Sequence, residues 1–232
     1  WVAANAAELK IDPSRVVIAG ESGGGNLTLA SGMKLLRDGD IGLVTGLYAL
    51  CPYIAGEWPQ ERFPSTIQNN GIFLDLHHNR GKHGYGIEAF DAGDPLAWPS
   101  FATVDDVRGL PRVVIHVNEC DPLRDEGLEF YRLCLQAGVP ARARMSMGTM
   151  HGTEIFPLAC PEISADTARD HELAESRARH RQRALGHQHV HHRIDEGARE
   201  VRVRRVGLLA QQREHGGFQA GKAELEVAAG HH

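Results

Sequence analysis

No run of apolar residues in this 232-residue sequence reaches the roughly 18 to 20 positions that a membrane-crossing helix needs. The first 168 residues also lack a stripe of basic side chains, and the formal net charge of the sequence is −5. A mildly acidic sequence without such a stripe has no electrostatic basis for binding nucleic acid. We therefore predict a protein with no membrane span and no nucleic-acid partner.

Cysteine is also scarce. The four cysteines, Cys51, Cys120, Cys134 and Cys160, have neither the spacing of a zinc site nor the density of a disulfide framework. We interpret them as reduced thiols in or near the core, which favours a cytoplasmic location.

Large apolar residues become sparse after about Asp170. Nine of the fourteen histidines lie between His171 and His232, and Lys222 is the only lysine in a segment where arginine is abundant. Such a composition cannot easily bury a core. We expect residues 169–232 to be a non-native or disordered tail, for instance a frameshifted reading of a GC-rich gene, and we assign no function to its histidines.

Short apolar runs alternate with amphipathic runs up to about residue 168. The predicted strands are 16–19, 43–53, 112–117 and 139–147, and the predicted helices include 26–37 and 123–137. This succession is typical of an α/β fold, with a mostly parallel sheet covered by helices on both faces. The wholly apolar run 16–19 predicts a strand buried on both faces. Residues 55–110 predict an insertion of loops and short helices over the sheet edge.

The most specific motif is Gly20-Glu21-Ser22-Gly23-Gly24, which matches G-x-S-x-G between a predicted strand and a predicted helix. A nucleophile on such a sharp turn has a strained backbone, so Gly20 and Gly24, two positions away on either side, must be small. The turn, placed at 20–25, holds the Ser22 hydroxyl at the positive end of the next helix. We predict Ser22 as the nucleophile. The alternative is a glycine-rich turn in which Ser22 caps the helix.

A serine nucleophile needs a general base and a carboxylate that orients the base, in the chain order serine, acid, histidine. Asp121 directly follows the strand that ends near Asn118, and we predict it as the acid. Asp125 and Glu126 compete for this role, but they fall inside the next helix, where they would support its N-terminal dipole.

His151 follows the next strand, within Gly148-Thr149-Met150-His151-Gly152, and we predict it as the base. His116 lies within a buried strand and is interpreted as a core histidine. The cluster His77, His78 and His83 precedes the acid, in the wrong order for a base. No carboxylate or thiol pattern completes a metal site there, so we predict no metal and no cofactor.

Three segments together resemble the hormone-sensitive-lipase-like family of bacterial carboxylesterases. They are Gly20-Glu21-Ser22-Gly23-Gly24-Gly25-Asn26-Leu27, Asp121-Pro122-Leu123-Arg124-Asp125-Glu126-Gly127 and His151-Gly152. The resemblance runs from Trp1 to about Ala168. It implies an α/β-hydrolase fold with a cap over the acyl pocket, and acyl transfer on short to medium acyl esters.

Carried over by motif, the resemblance implies that Ser22 is the nucleophile, Asp121 the orienting acid and His151 the base. It also implies that the backbone N–H of Gly23 is one oxyanion donor. The family's His-Gly-Gly-Gly loop, which supplies the other oxyanion donors, has no counterpart in this sequence. We therefore expect an α/β-hydrolase fold that is incomplete at its N-terminus, with residues 1–168 as the C-terminal part of the catalytic domain, and a chain of feeble or no activity.

The predicted function is a serine carboxylesterase whose partner is a small-molecule ester. An amidase or a lactonase would use the same triad, and an inactive product of a gene fragment is a further alternative. Members of the family that lost the histidine have become small-molecule receptors, which the presence of His151 disfavours. Glu21 is expected either to tune the site or to anchor a neighbouring loop. A set of aromatic residues either lines the substrate pocket or packs the insertion: Trp58, Phe63, Tyr85, Phe90 and Trp98.

Overall fold

The computed structural model describes residues 1–79, 81–169, 204–214 and 217–227. The chain divides into two units, Trp1–Ala184 and Leu185–His232. The first unit contains every predicted site residue.

A four-stranded parallel sheet forms the centre of the first unit, in the order β1-β2-β3-β4. Its strands are β1 (Val17–Glu21), β2 (Gly46–Leu50), β3 (Arg112–Asn118) and β4 (Ala141–Ser146). Because all four strands are parallel, their carboxyl ends lie at one edge of the sheet. The prediction of an α/β fold with a parallel sheet is confirmed.

Seven helices of the first unit have defined bounds. They are α1 (Ala6–Leu9), α2 (Gly23–Asp38), α3 (Ser65–Gln68), α4 (Gly81–Tyr85), α5 (Ile87–Asp91), α6 (Val104–Val107) and α7 (Arg124–Gln136). Short 3₁₀ helices cover Ala3–Asn5, Pro13–Arg15, Ile41–Leu43, Pro99–Phe101 and Thr153–Ile155, and residues 161–169 are also helical. The segment between β2 and β3 thus contains loops and short helices.

Helices lie on both faces of the sheet. Leu29 of α2 and Phe130 of α7 share one core cluster with Ile115 of β3, so these two long helices cover the same face. Arg144 of β4 is the register partner of His116, whose side chain alternates with that of Ile115 and therefore points to the opposite face. Arg144 pairs with Asp166 of the helical residues 161–169, which places that helix on the second face.

Two details of the sequence prediction are wrong. The strand β1 is not buried on both faces: Ala19 is exposed and its other residues are only partly buried, because β1 lies at one edge of the four-stranded sheet. The run 123–137 also predicts one apolar side of the helix formed by Leu128, Tyr131 and Leu135. In α7 the fully buried apolar side chains are instead Phe130 and Cys134, and Leu135 is 48% exposed.

In the second unit, β5 (Arg204–Glu214) and β6 (Gly217–Val227) pair as an antiparallel hairpin. The other residues of the predicted tail beyond residue 169, including its nine histidines, lie outside the described residues. No helix in the part of the chain that the structure describes is long and apolar enough to cross a membrane. All four cysteines lie in described residues and carry free thiols, with Cys51 and Cys134 buried.

Candidate active site

Ser22 occupies a sharp turn between a strand and a helix. The strand β1 ends at Glu21 and α2 begins at Gly23, so the turn is a single residue, shorter than the predicted 20–25. The backbone of Ser22 has φ 56° and ψ −116°, a strained conformation for a residue with a side chain. Hydrogen bonds hold it there: Ser22 N–H donates to Leu50 O at 2.9 Å, and Tyr53 N–H donates to Ser22 O at 3.1 Å.

The side chain of Ser22 makes no hydrogen bond that caps α2. This argues against the alternative in which Ser22 serves only as a helix cap.

The glycines of the motif differ in how strictly the structure requires them. A Cβ atom on Gly20 would lie 2.2 Å from Gly24 O, which no side chain tolerates. A Cβ atom on Gly24 meets no described atom within 4 Å, so the expectation that Gly24 must be small is wrong for the described residues. Gly25, just after the motif, is also required, because a Cβ atom there would lie 2.9 Å from both Leu50 O and Pro52 Cα.

The structure brings together the serine, the histidine and the aspartate that the sequence singled out. Ser22 Oγ lies 3.0 Å from His151 Nε2, and His151 Nδ1 lies 2.8 Å from Asp121 Oδ2. Asp121 is fully buried and also accepts a hydrogen bond from Leu123 N–H at 2.9 Å. Because Asp121 accepts from Nδ1–H, the Nε2 atom is left free of a proton and faces the serine hydroxyl. This arrangement is able to abstract the serine proton.

The two rival carboxylates have other partners. Asp125 accepts from Ser65 N–H at 2.7 Å and pairs with Arg124. Burial opposes ionisation of Asp125, but the contacts with Arg124 and Ser65 outweigh it and lower its pKa.

Glu126 is also engaged away from the histidine. It is buried and accepts from Ile54 N–H at 2.7 Å and from Trp58 Nε1–H at 2.8 Å. The structure therefore favours Asp121 over both rivals as the partner of the histidine.

Three carboxylates influence the protonation of His151. Burial of the ring opposes protonation, but the hydrogen bond and the charge of Asp121, with the charges of Glu21 and Glu154, outweigh it and raise the pKa of His151 above 6.5. Glu21 Oε1 lies 3.4 Å from His151 Nε2. Burial, and the nearby Glu154 and Asp121, raise the pKa of Glu21 against the lowering effect of His151.

Three other described histidines, His116, His78 and His77, have partners away from Ser22 and Asp121. His116 is buried, with Nε2 2.8 Å from Ser146 Oγ. His78 Nδ1 lies 3.0 Å from Asp75 Oδ2, and His77 Nε2 lies 3.3 Å from Thr66 O. In residues 1–79 and 81–169 these histidines form no group with the spacing of a metal site.

One group of possible metal ligands is present in the described part of the first unit. Glu21, Cys51 and His151 have ligand atoms within 4.8 Å of one another. Burial, with the charges of Asp121, Glu154 and Glu21, raises the pKa of Cys51 well above its ordinary value, so the thiol keeps its proton. A metal binds the thiolate, and His151 is already engaged on both nitrogens. This group does not fit a metal centre.

A small apolar cavity begins at Gly23, the residue after Ser22. Its volume is about 240 Å³, and it is lined by Gly23, Asn26, Leu27, Tyr53, Gly81, Tyr85 and Trp98. A larger cavity of about 370 Å³ lies against α7 and contacts none of Ser22, Asp121 and His151.

Of the five aromatic residues considered above, Tyr85 and Trp98 line the small cavity. Trp58 and Phe63 pack into the core of the insertion, together with Phe90.

Comparison with known proteins gives consistent results. A profile of a family with the alpha/beta hydrolase fold matches residues 1–155. Carboxylesterase NlhH of Mycobacterium tuberculosis is 31% identical over 172 residues, which make up 73% of this chain and 53% of that protein. An arylesterase of Saccharolobus solfataricus is 30% identical over 156 residues, or 65% of this chain and 48% of that protein. The chain spans about half the length of the curated relatives it matches.

Solved structures show the same likeness. Esterase Est22, solved with p-nitrophenol, superimposes with a TM-score of 0.74 at 63% identity, over 75% of this chain and 52% of that chain. Brefeldin A esterase, described as a bacterial homologue of human hormone sensitive lipase, superimposes with a TM-score of 0.71 at 41% identity, over 77% of this chain and 52% of that chain.

Proposed function

The chain belongs to the hormone-sensitive-lipase-like esterases of the α/β-hydrolase family, and we propose that it hydrolyses carboxylic esters of short to medium acyl length. One observation carries the proposal: Ser22 Oγ, the His151 ring and the Asp121 carboxylate form a continuous chain, with separations of 3.0 Å and 2.8 Å. We assign the activity to residues 1–168. The four free thiols support the cytoplasm as its compartment.

In the first half of the reaction Ser22 Oγ attacks the ester carbonyl carbon, and its proton passes to His151 Nε2. The carbonyl π bond breaks and leaves a tetrahedral oxyanion. Asp121 stabilises the imidazolium that forms and holds the ring in the tautomer that accepts the proton. Collapse of the intermediate breaks the bond to the alcohol oxygen, which takes the proton from Nε2 as it leaves.

Gly23 supplies one donor for the oxyanion. It is the first residue of α2, so its backbone N–H has no partner within the helix and points out of the positive end of the helix dipole. A donor aimed at the developing negative charge stabilises the transition state more than the ground state.

In the second half, water attacks the acyl carbon of the ester formed on Ser22. His151 Nε2 takes one proton from the water and returns it to Ser22 Oγ as the acyl bond breaks, which releases the acid and regenerates the serine. The apolar cavity of about 240 Å³ beside Gly23 supports a small apolar group as the part of the substrate that it accepts.

The test is hydrolysis of p-nitrophenyl acetate, butyrate and octanoate by the full chain, beside a Ser22→Ala variant. We expect the feeble turnover predicted from the sequence: slow release of p-nitrophenol that the variant loses, with the shorter esters preferred. The corresponding p-nitroanilides separate an esterase from an amidase, because the leaving group is then an amine. Labelling with a fluorophosphonate, mapped by mass spectrometry, locates the nucleophile independently of turnover. A folded chain that neither turns over esters nor takes the label on Ser22 contradicts the proposal.

A further inference from the structure

A fully buried carboxylate lies three residues beyond the histidine of the triad. Glu154 belongs to the 3₁₀ helix Thr153–Ile155, and only 1% of its side chain is exposed. Its Oε2 atom accepts from Asn118 Nδ2–H at 3.1 Å, and its Oε1 atom lies 3.3 Å from His116 Nε2. A buried carboxylate is costly unless its neighbours compensate its charge, so its location next to the base calls for a physical reason.

Two neighbours of Glu154, Cys51 and Asn118, donate hydrogen bonds to its Oε2 atom. The Cys51 Sγ atom lies 4.0 Å from Glu154 Oε2, and its raised pKa means that the thiol keeps the proton that it donates. Asn118 donates through its amide, and His116 presents a ring nitrogen. These contacts compensate part of the cost of burying the Glu154 side chain.

Hydrogen bonds of Asn118 also hold the loop that carries His151 against β3, the strand that precedes Asp121. Asn118, the last residue of β3, donates to Met150 O at 2.8 Å and accepts from Thr149 Oγ1–H at 2.6 Å. Glu154 adds a contact on the other side of His151. The loop is therefore attached to Asn118 both before and after the histidine, which limits movement of the ring away from Ser22.

We propose that Glu154 is a positioning residue of the esterase reaction, a buried anion that fixes the His151 loop on β3 and stabilises the positive charge that the histidine carries in the transition state. This inference rests on the proposed function for its kinetic consequence, but its structural part concerns His151 alone.

Three carboxylates face His151, and they differ in exposure. Asp121 contacts Nδ1 directly, and Glu21, 24% of whose side chain is exposed, lies near Nε2. Glu154 makes no direct hydrogen bond to the ring, but its side chain is far less exposed than that of Glu21. Water and salt screen a buried charge least. Glu154 therefore affects the charge of the His151 ring through space, without a hydrogen bond to either ring nitrogen.

The experiment compares Glu154→Gln with Glu126→Gln in the full chain. Both variants replace a fully buried glutamate side chain by an amide of the same size, but Glu126 contacts the loop after β2 instead of the histidine loop. The pKa of His151 is read by NMR titration of its ring, identified by the signal that His151→Gln loses.

For Glu154→Gln we expect the pKa of His151 to fall, because one of the negative charges that favour the imidazolium is lost. The acid limb of the kcat/KM profile moves to lower pH with it, and kcat falls about tenfold while KM stays within twofold. For Glu126→Gln we expect the pKa of His151 and the pH profile to remain those of the parent chain.

A second variant, Glu154→Asp, keeps the charge but shortens the side chain by one methylene group. We expect a pKa of His151 closer to that of the parent and a lower kcat, since the shorter side chain cannot reach both Asn118 and His116. If Glu154→Asp keeps both the kcat and the His151 pKa of the parent chain, the positioning role is overturned. This outcome can be read even if Glu154→Gln fails to fold. An unchanged pKa of His151 in a folded Glu154→Gln overturns the electrostatic role. The NMR titration needs no turnover, so failure of the esterase proposal is read separately, as a parent chain that hydrolyses no ester.

Discussion

The strands β1 and β3 each end shortly before a residue of the proposed triad, Ser22 and Asp121, yet they are held in different ways. In β3 every residue after Arg112 is buried, and the strand lies between β2 and β4. In β1 no residue is fully buried, Ala19 is exposed, and the strand pairs only with β2 among the described residues. Both strands are apolar in sequence, so their difference in burial comes from their neighbours.

The comparison shows two ways of fixing a catalytic side chain. The acid after β3 is fixed by packing and by a dense set of hydrogen bonds in the interior. Ser22, which follows β1, is fixed by backbone geometry: Gly20 allows Gly24 O to approach closely, Ser22 N–H donates to Leu50 O, and Tyr53 N–H donates to Ser22 O. The following predictions separate these two mechanisms.

The largest expected effect is at the end of β3. Replacing Asp121 by Asn removes the carboxylate that accepts from His151 Nδ1, so the ring adopts the wrong tautomer and kcat falls by about 10⁴-fold. Steady-state kinetics on p-nitrophenyl butyrate measure the loss. Asp125→Asn, four residues along the chain, is the matched control and keeps kcat within about threefold, because Asp125 bonds Ser65 and Arg124. Equal losses of kcat in Asp121→Asn and Asp125→Asn would contradict the role of Asp121 as the partner of His151.

A pair of core truncations tests the difference in packing. Ile115→Ala in β3 leaves a cavity among fully buried side chains and is expected to lower the free energy of unfolding by about 3–5 kcal/mol. Ile18→Ala in β1 removes a partly buried side chain, with an expected loss of about 1–2 kcal/mol. Urea denaturation of the two variants gives both values. If Ile18→Ala proves as costly as Ile115→Ala, β1 is buried as fully as β3 in the folded protein.

A pair of glycine substitutions tests the difference in backbone geometry. Gly20→Ala places a methyl group 2.2 Å from Gly24 O, which must displace the turn, and we expect a loss of about 1–3 kcal/mol of stability together with loss of fluorophosphonate labelling. Gly24→Ala meets no described atom within 4 Å and should retain labelling. If Gly24→Ala loses more stability and labelling than Gly20→Ala, the close approach of Gly24 O to Gly20 is not what holds the turn.

The last comparison concerns how stability changes with pH. Burial raises the pKa of Glu126 from an ordinary 4.5 to about 8, although hydrogen bonds from the N–H groups of Ile54, Trp58 and Ala55 lower it. Between these values the folded chain holds a proton that the unfolded chain has released, so this group makes the free energy of unfolding fall as the pH rises.

Glu126→Gln should therefore flatten that fall, measured by urea denaturation between pH 5 and 8. A slope equal to that of the parent would mean that Glu126 is already ionised in the folded chain.

Much of the fold and of the candidate site follows from sequence pattern. The apolar runs of β2 and β3, the alternating pattern of β4 and the amphipathic α7 are local signals. The G-x-S-x-G motif together with chain order is enough to select Ser22, Asp121 and His151.

Features that depend on contacts between distant segments were missed. The glycine run 23–25 has low helix propensity, which placed the start of α2 at Asn26. In the structure α2 begins at Gly23, and Gly25 allows the helix to approach Leu50 and Pro52.

The buried group around Glu154 was missed for the same reason. Its members, Cys51, His116 and Asn118, are each unremarkable in sequence and meet only because the strand ends converge at one edge of the sheet.

The positive φ of Ser22 has a consequence for directed evolution of this protein. Glycine adopts φ near 56° without steric penalty, whereas serine is strained there, so Ser22→Gly should unfold at a higher temperature than the parent although it has no nucleophile. A library screened for thermostability alone would enrich glycine at the position where the chemistry needs a hydroxyl group. Selection for activity must therefore accompany selection for stability from the first round.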